Sequence, residues 1–365
     1  MKLLLLLNKL SLLFLVFTSI LNAQEESLLL DGSWEFKAVS ADKWMPAEVP
    51  GVVHLDLLNN NVIEDPFYRM NESKVQWIGK EKWEYKRNFE VSESLFNKSQ
   101  IKLFCNGLDT FASVYINDQL VATTNNMHLR YQFDCKPYVK KGSNTIKVVF
   151  DSYLERGLEL HEASPYPIPG QGNDKSTFKE LKDIHIGTYI RKAGYQFGWD
   201  WGPRFLTSGI WRSIYIEGNN VTNIQSVYFK PVGISKKKAN YDIELELDHI
   251  TDKTITAQVK VNGKTKVESD IVLNKKTKAY KIPLSIKKPK FWWPNGMGEA
   301  NLYDIEVNVF EGDNLIASHK ERLGVRTIEL VTDKDEQDAS FYFKVNRVTY
   351  SARGAHYITT DIPSN

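Results

Sequence analysis

The residues best suited to chemistry form one run, Phe197-Gly-Trp-Asp-Trp-Gly-Pro-Arg204. Two indoles flank one carboxylate, with glycine on both sides. Sugars present apolar C–H faces and hydroxyl edges. Indole faces suit the former, and a carboxylate accepts hydrogen bonds from the latter. In an extended segment Trp199 and Trp201 would point one way and Asp200 the other. The same residues also suit a plain structural role, with both indoles in a core and Asp200 capping a turn. The glycines favour the binding role, because they let the backbone approach a ligand closely. Asp200, Trp199 and Trp201 are therefore the candidate substrate-binding residues.

Other chemistries find no support. The seven His show no metal-ligand spacing and there is no Cys cluster, so no metal is expected. Gly170-Gln-Gly172 lacks the strand–helix unit of a dinucleotide site, and no cofactor is expected. No Gly-x-Ser-x-Gly elbow occurs. Asp and Glu are plentiful, but none besides Asp200 stands out, and no catalytic residue is assigned within the chain. Cys105 and Cys135 read as buried thiols in a sheet core. Phe291-Trp-Trp-Pro-Asn-Gly296 reads as packing. The clusters Lys236–Lys238, Lys275–Lys276 and Lys287–Lys288 read as solvated turn residues; an anionic-surface patch would require them to converge in space.

The elements that must position the motif are strands. Short apolar runs such as Ile101–Cys105, Ile146–Phe150 and Tyr241–Leu247 are bounded by Gly, Asn and Asp, the pattern of an all-β sandwich or barrel. Leu154 to Lys192, rich in Pro and Gly, reads as a long irregular excursion. The 365 residues suggest two domains and a remainder. Residues 1–23 read as a secretory signal peptide, with a basic start, an apolar run and Ala23 before polar sequence. The expected divisions are then 24–220, 221–331 and 332–365. The middle stretch has the size of an immunoglobulin-like sandwich. Phe341 to Ala352 reads as a hairpin turning at Asn346-Arg347. Lys and Arg number 47 against 45 Asp and Glu, a balance that argues against a nucleic-acid binder. After signal removal no membrane association is expected.

Several runs together resemble the N-terminal part of β-mannosidases of glycoside hydrolase family 2. They include Leu30-Asp-Gly-Ser-Trp-Glu-Phe36, Val49-Pro-Gly-Val-Val-His54, Gln76-Trp-Ile78, Gly107-Leu-Asp-Thr110, Ile190-Arg-Lys192, the Gly198–Arg204 motif and Trp292-Trp-Pro-Asn-Gly296. The resemblance implies a mainly β chain: a jelly-roll-like galactose-binding-type sandwich, an immunoglobulin-like β-sandwich and the first strands of a truncated TIM barrel. It implies a retaining exo-enzyme acting on terminal β-mannosides, with two Glu on a barrel of ~250 residues. Both would lie beyond Asn365, leaving this chain inactive alone. It also implies that Asp200 and Trp199 contact the mannosyl ring of a mannoside or mannose-containing oligosaccharide. The location would be periplasmic or extracellular, or lysosomal in a eukaryotic host. The family usually has Gly where this chain has Arg347, so a turn with positive φ would be strained there. The competing readings are a stand-alone carbohydrate-binding or adhesion module, and part of another family 2 exo-glycosidase.

Overall fold

The computed structural model describes residues 26–170, 179–182, 184–200, 202–219, 222–249, 252–274, 277–334, 340–352 and 354–355. The expected signal peptide, Trp201, Lys275–Lys276 and the stretch from His356 onward lie outside them. The chain divides into two compact units at Asn220/Val221.

The first unit holds β1 (Glu26–Leu29), β2 (Gly32–Ala38), β3 (Met45–Val49), β4 (Trp83–Val91), β5 (Gln100–Cys105), β6 (Phe111–Ile116), β7 (Gln119–Asn125), β8 (Tyr131–Asp134), β9 (Gly142–Phe150) and β10 (Ile214–Asn219). One sheet runs β3-β2-β4-β9-β6-β7 and the other β1-β10-β5-β8. Alternate residues turn inward along strands such as β5 and β9, as a half-buried sheet requires. Trp34, Phe36, Tyr85 and Val148 of the larger sheet share one core with Ile101, Leu103, Ile214 and Ile216 of the smaller. At ~1.5–3 kcal/mol per fully buried large apolar side chain, this core is the unit's main stabilising term.

Cys105 and Cys135 are free and buried, as expected. Cys105 pairs with Tyr131, whereas the Cys135 amide bonds to Ile101, four residues back along β5. At ~3.3 Å per residue those points are roughly 13 Å apart. A disulfide needs Cα atoms within ~7 Å. Burial pushes the Cys105 thiol far up and that of Cys135 up to about 12, so both are inert.

The excursion is not irregular throughout. A helix spans Tyr153–Glu162, and short 3-10 turns follow at Lys179–Leu181, Ile186–Tyr189 and Gly194–Phe197. Ser152 caps the helix, its hydroxyl accepting from the Glu155 amide at 3.3 Å. Ser152 and Glu155 have capping-box spacing. Tyr153, Leu154, Leu181, Ile186 and Phe197 close over Phe111 in a small second core.

The second unit contains β11 (Asn223–Ile234), β12 (Lys238–Asp248), β13 (Thr254–Val261), β14 (Lys264–Val272), β15 (Ala279–Lys287), β16 (Tyr303–Glu311) and β17 (Asn314–Leu323). The sheets β11-β12-β15 and β14-β13-β16-β17 bury Ile243, Leu245 and Ile282 against Ala257, Val259 and Val307. The Asn262-Gly263 turn has φ of 49° and 75°, the primed geometry that dipeptide favours. Trp292 packs inside this unit. Its amide donates to Val325, and the Arg326 guanidinium lies 4.7 Å from the ring centroid.

A third sheet joins β18 (Ile328–Val331), β19 (Tyr342–Val345) and β20 (Val348–Tyr350). The anticipated hairpin is present, and its turn residues Asn346 and Arg347 have φ of 51° and 69°. Asn346 fastens the turn to its own unit. Its side chain accepts from the Thr327 amide at 3.0 Å and donates to the Trp292 carbonyl at 3.0 Å.

Candidate substrate-binding turn

The motif is a hairpin tip, not an extended strand. The Trp199 amide donates to the Gly202 carbonyl at 3.3 Å, and the Gly202 amide donates back at 3.4 Å. Asp200 therefore sits inside the turn, so strict two-residue alternation does not govern its direction. Gly198 enters this turn from the 3-10 helix at φ 99°, a conformation that a residue with a Cβ rarely adopts. Trp199 is 38% exposed. Asp200 is exposed and bonds to no other described residue. Beside Trp199 lies a cleft of about 310 Å³, with Pro169, Gly170, Thr188, Phe197 and Gly198 in its wall. That volume suits a small ligand.

The base of the turn is buried and polar. Arg204, 2% exposed, donates from Nε to the Phe197 carbonyl at 3.2 Å and so ties the two ends of the motif together. Its own backbone is clamped on both sides. The amide donates to Glu72 Oε1 at 2.8 Å, and the carbonyl accepts from Gln76 Nε2 at 2.8 Å. Just below, Lys192 forms a fully buried ion pair with Asp109. Lys192 Nζ also donates to the Thr207 carbonyl at 2.8 Å. Asp109 accepts from Tyr153 Oη at 3.0 Å and from Thr207 Oγ1 at 2.7 Å. Burial pulls the Lys192 pKa down to about 8, against the upward pull of Asp109. His54, its ring tilted against Phe205 with centroids 5.7 Å apart, is pushed down to about 3 by burial and by Lys192, so it stays neutral. Buried charges survive only when paired and hydrogen-bonded, as here.

Residues 34–212 match the family described as glycosyl hydrolase 2 galactose-binding domain-like, and residues 222–326 match glycosyl hydrolases family 2. The chain belongs to glycosyl hydrolase family 2. It is 30% identical to the β-mannosidase of Mus musculus over 347 residues, covering 92% of this chain and 39% of that relative. The β-D-mannosidase of Dictyoglomus thermophilum is 36% identical with a TM-score of 0.80, covering 91% of this chain and 40% of that one. An exo-chitosanase of Amycolatopsis orientalis has a TM-score of 0.64 at 20% identity, over 91% of this chain and 37% of that one, and shares the fold. The chain thus spans about two fifths of the relatives it matches.

In this family 2 chain the sequence-derived candidates separate. Trp199 and Asp200 come together on one exposed tip, while Trp201 lies outside the described residues. No group of His, Cys, Asp and Glu among the described residues could hold a metal, and no helix among them is long and apolar enough to cross a membrane. Sequence reasoning missed Asp109, Lys192, Tyr153 and Thr207. Asp109 and Lys192 each sit in a run that carried the family resemblance, but nothing in either run signals their partnership.

Proposed function

We propose that this chain is the N-terminal, substrate-binding region of an exported β-mannosidase that removes terminal non-reducing β-mannose with retention. The observation that carries the reading is the solvent-facing Trp199–Asp200 tip on a buried base, in a chain 36% identical to a β-D-mannosidase. Asp200 accepts hydrogen bonds from adjacent hydroxyls of the mannosyl ring, which fixes its orientation. Trp199, with Trp201, offers an indole face to the ring's C–H groups. Neither moves a proton in the cleavage. Retaining cleavage needs two carboxylates ~5–5.5 Å apart. In this reading they belong to a barrel into which residues 332–365 lead, and the chain alone is inactive. No cofactor or metal takes part. The protein works in the periplasm or outside the cell, or in the lysosome of a eukaryotic host.

The test is kinetic. Residues 24–365, freed of host glycosidase, are expected to turn over nitrophenyl β-mannoside no faster than buffer. Joined to the part of the Dictyoglomus thermophilum enzyme that this chain does not match, they are expected to support turnover. In that chimaera Asp200→Ala removes a charge-assisted hydrogen bond of roughly 1.5–3 kcal/mol. At ~1.4 kcal/mol per tenfold, kcat/KM falls by about one to two decades. Unchanged kcat/KM would remove Asp200 from the substrate site. A nitrophenyl glycoside panel on the same chimaera separates β-mannosidase from another family 2 exo-glycosidase. The cleft beside Trp199 favours a second reading, a stand-alone carbohydrate-binding module, which requires tight mannoside binding by the chain alone.

A further inference from the structure

The second unit brings two basic hairpin tips together. Ser235 and Lys238 close a two-residue turn with Lys236 and Lys237 at its tip, through bonds of 2.9 and 3.2 Å. The Asn346-Arg347 tip meets Lys236 across a cleft of about 160 Å³, with Phe291 and Thr327 in its wall. The second lysine run lies alongside. Lys238 stands directly opposite Lys287 in the β12–β15 register, and the Lys288 amide donates to the Lys237 carbonyl at 2.9 Å. All six cations are exposed, and none forms an ion pair among the described residues. These lysine runs therefore do converge, and more closely than solvated turn residues need to.

Three features point to a ligand. Like charges directly opposite in a sheet destabilise it, and a bound anion relieves that repulsion. The hairpin turn dictates φ of 69° at Arg347, where Gly would sit without strain, yet a cation occupies it, and Lys288 likewise carries its cation at φ 45°. The chain's formal charge is only +2, so the cluster is a local concentration and not a general excess.

We propose that this cleft is an oxyanion site for a sulfated polysaccharide. The Arg347 fork and the Lys236 ammonium face one sulfate ester, with the Thr327 hydroxyl as a further donor. Lys237, Lys238, Lys287 and Lys288 extend beyond the cleft, so they contact the next groups of a chain of anions. No large exposed aromatic belongs to the cluster, and base stacking on a single-stranded nucleic acid needs one. The proposal stands independently of the role given to Asp200.

The test is anisotropy of a labelled heparin fragment titrated with the full chain. Saturable binding that weakens steeply with chloride is expected. Lys236→Ser with Lys237→Ser is expected to lower affinity at least about tenfold, with an unchanged melting temperature. Lys264→Ser with Lys266→Ser removes equal charge from the β13–β14 hairpin and is expected to leave affinity nearly unchanged. Arg347→Gly is expected to weaken binding while stabilising the fold. Absence of saturable binding, equal loss in both lysine pairs, or tighter binding of an oligonucleotide than of heparin would each overturn the proposal. So would displacement by inorganic sulfate no stronger than by chloride at equal ionic strength.

Discussion

Two hairpin tips present side chains to solvent, and they are supported in opposite ways. The Trp199–Gly202 tip of the first unit stands on Arg204, on the buried Lys192–Asp109 pair and on a small apolar core of its own. The Asn346-Arg347 tip of the second unit is fastened chiefly by one side chain, Asn346, and carries its cation on a left-handed residue. The difference matches the two roles proposed above. Placing a carboxylate against a particular sugar hydroxyl tolerates little displacement, so the support must be rigid. Attracting a polyanion depends on the local density of charge more than on angle, so a lightly held turn suffices.

The largest expected effect breaks the first support. Lys192→Met leaves Asp109 charged and buried without its partner, which costs about 3–5 kcal/mol. Asn346→Ala removes two backbone-directed hydrogen bonds, at ~1 kcal/mol each. Urea unfolding followed by tryptophan fluorescence measures both variants. If Asn346→Ala proves as damaging as Lys192→Met, the two tips are supported alike and the comparison fails.

A second effect reports how dry the first support is. His54 has its folded pKa at about 3, below the ordinary value near 6.5, because burial disfavours the imidazolium. Between those values the unfolded chain holds a proton that the folded chain refuses. Stability from neutral His54 is thus complete above pH 6.5 and is lost as pH falls toward 3. Asp56, raised by its own burial to about 6, titrates over much of the same range. A comparison with His54→Gln removes that shared contribution. The variant is expected to gain on the parent by ~1.4 kcal/mol per pH unit on acidification through this window. A pH-independent difference would mean that His54 is solvated and the base is wet.

The third effect concerns the second tip. Arg347→Gly relieves the left-handed conformation and is expected to stabilise the second unit by about 1 kcal/mol. A loss of stability would show that the guanidinium packs and supports the turn.

The strands and both sandwiches were legible because alternation and turn residues are local signals. Tyr241 to Leu247 alternates in sequence, and its inward residues are the buried ones. The Arg347 turn was legible for the same reason, since hairpin geometry dictates φ. The helix Tyr153–Glu162 was missed although Ser152 and Glu155 announce its start, because the Pro-rich sequence after it suggested a loop. The motif was legible as a candidate, but not as a turn, since Gly198 and Gly202 permit several conformations. Its base was not legible at all. Lys192 and Asp109 are 83 residues apart, and only the folded topology shows that one neutralises the other. The convergence of the lysine runs likewise depends on the β12–β15 register.

The smallest expected effect on folding sharpens the comparison most. Asp200 is exposed at the tip and bonds to no other described residue. Its replacement by Ala empties no core and leaves no buried donor unpaired. Surface changes of this kind stay within about 0.5 kcal/mol. If Asp200 instead capped the turn, its loss would cost ~1 kcal/mol, and Trp199 would lose its orientation with it. Melting curves of Asp200→Ala and its parent, recorded with the quenching of exposed tryptophan by iodide, separate the two roles. Equal melting temperatures and equal quenching are expected, because Arg204 and the Trp199–Gly202 bonds hold the tip without the carboxylate. A clear drop in melting temperature with altered quenching would make Asp200 part of the support. The tip would then be a structural turn, with no carboxylate held free for a sugar.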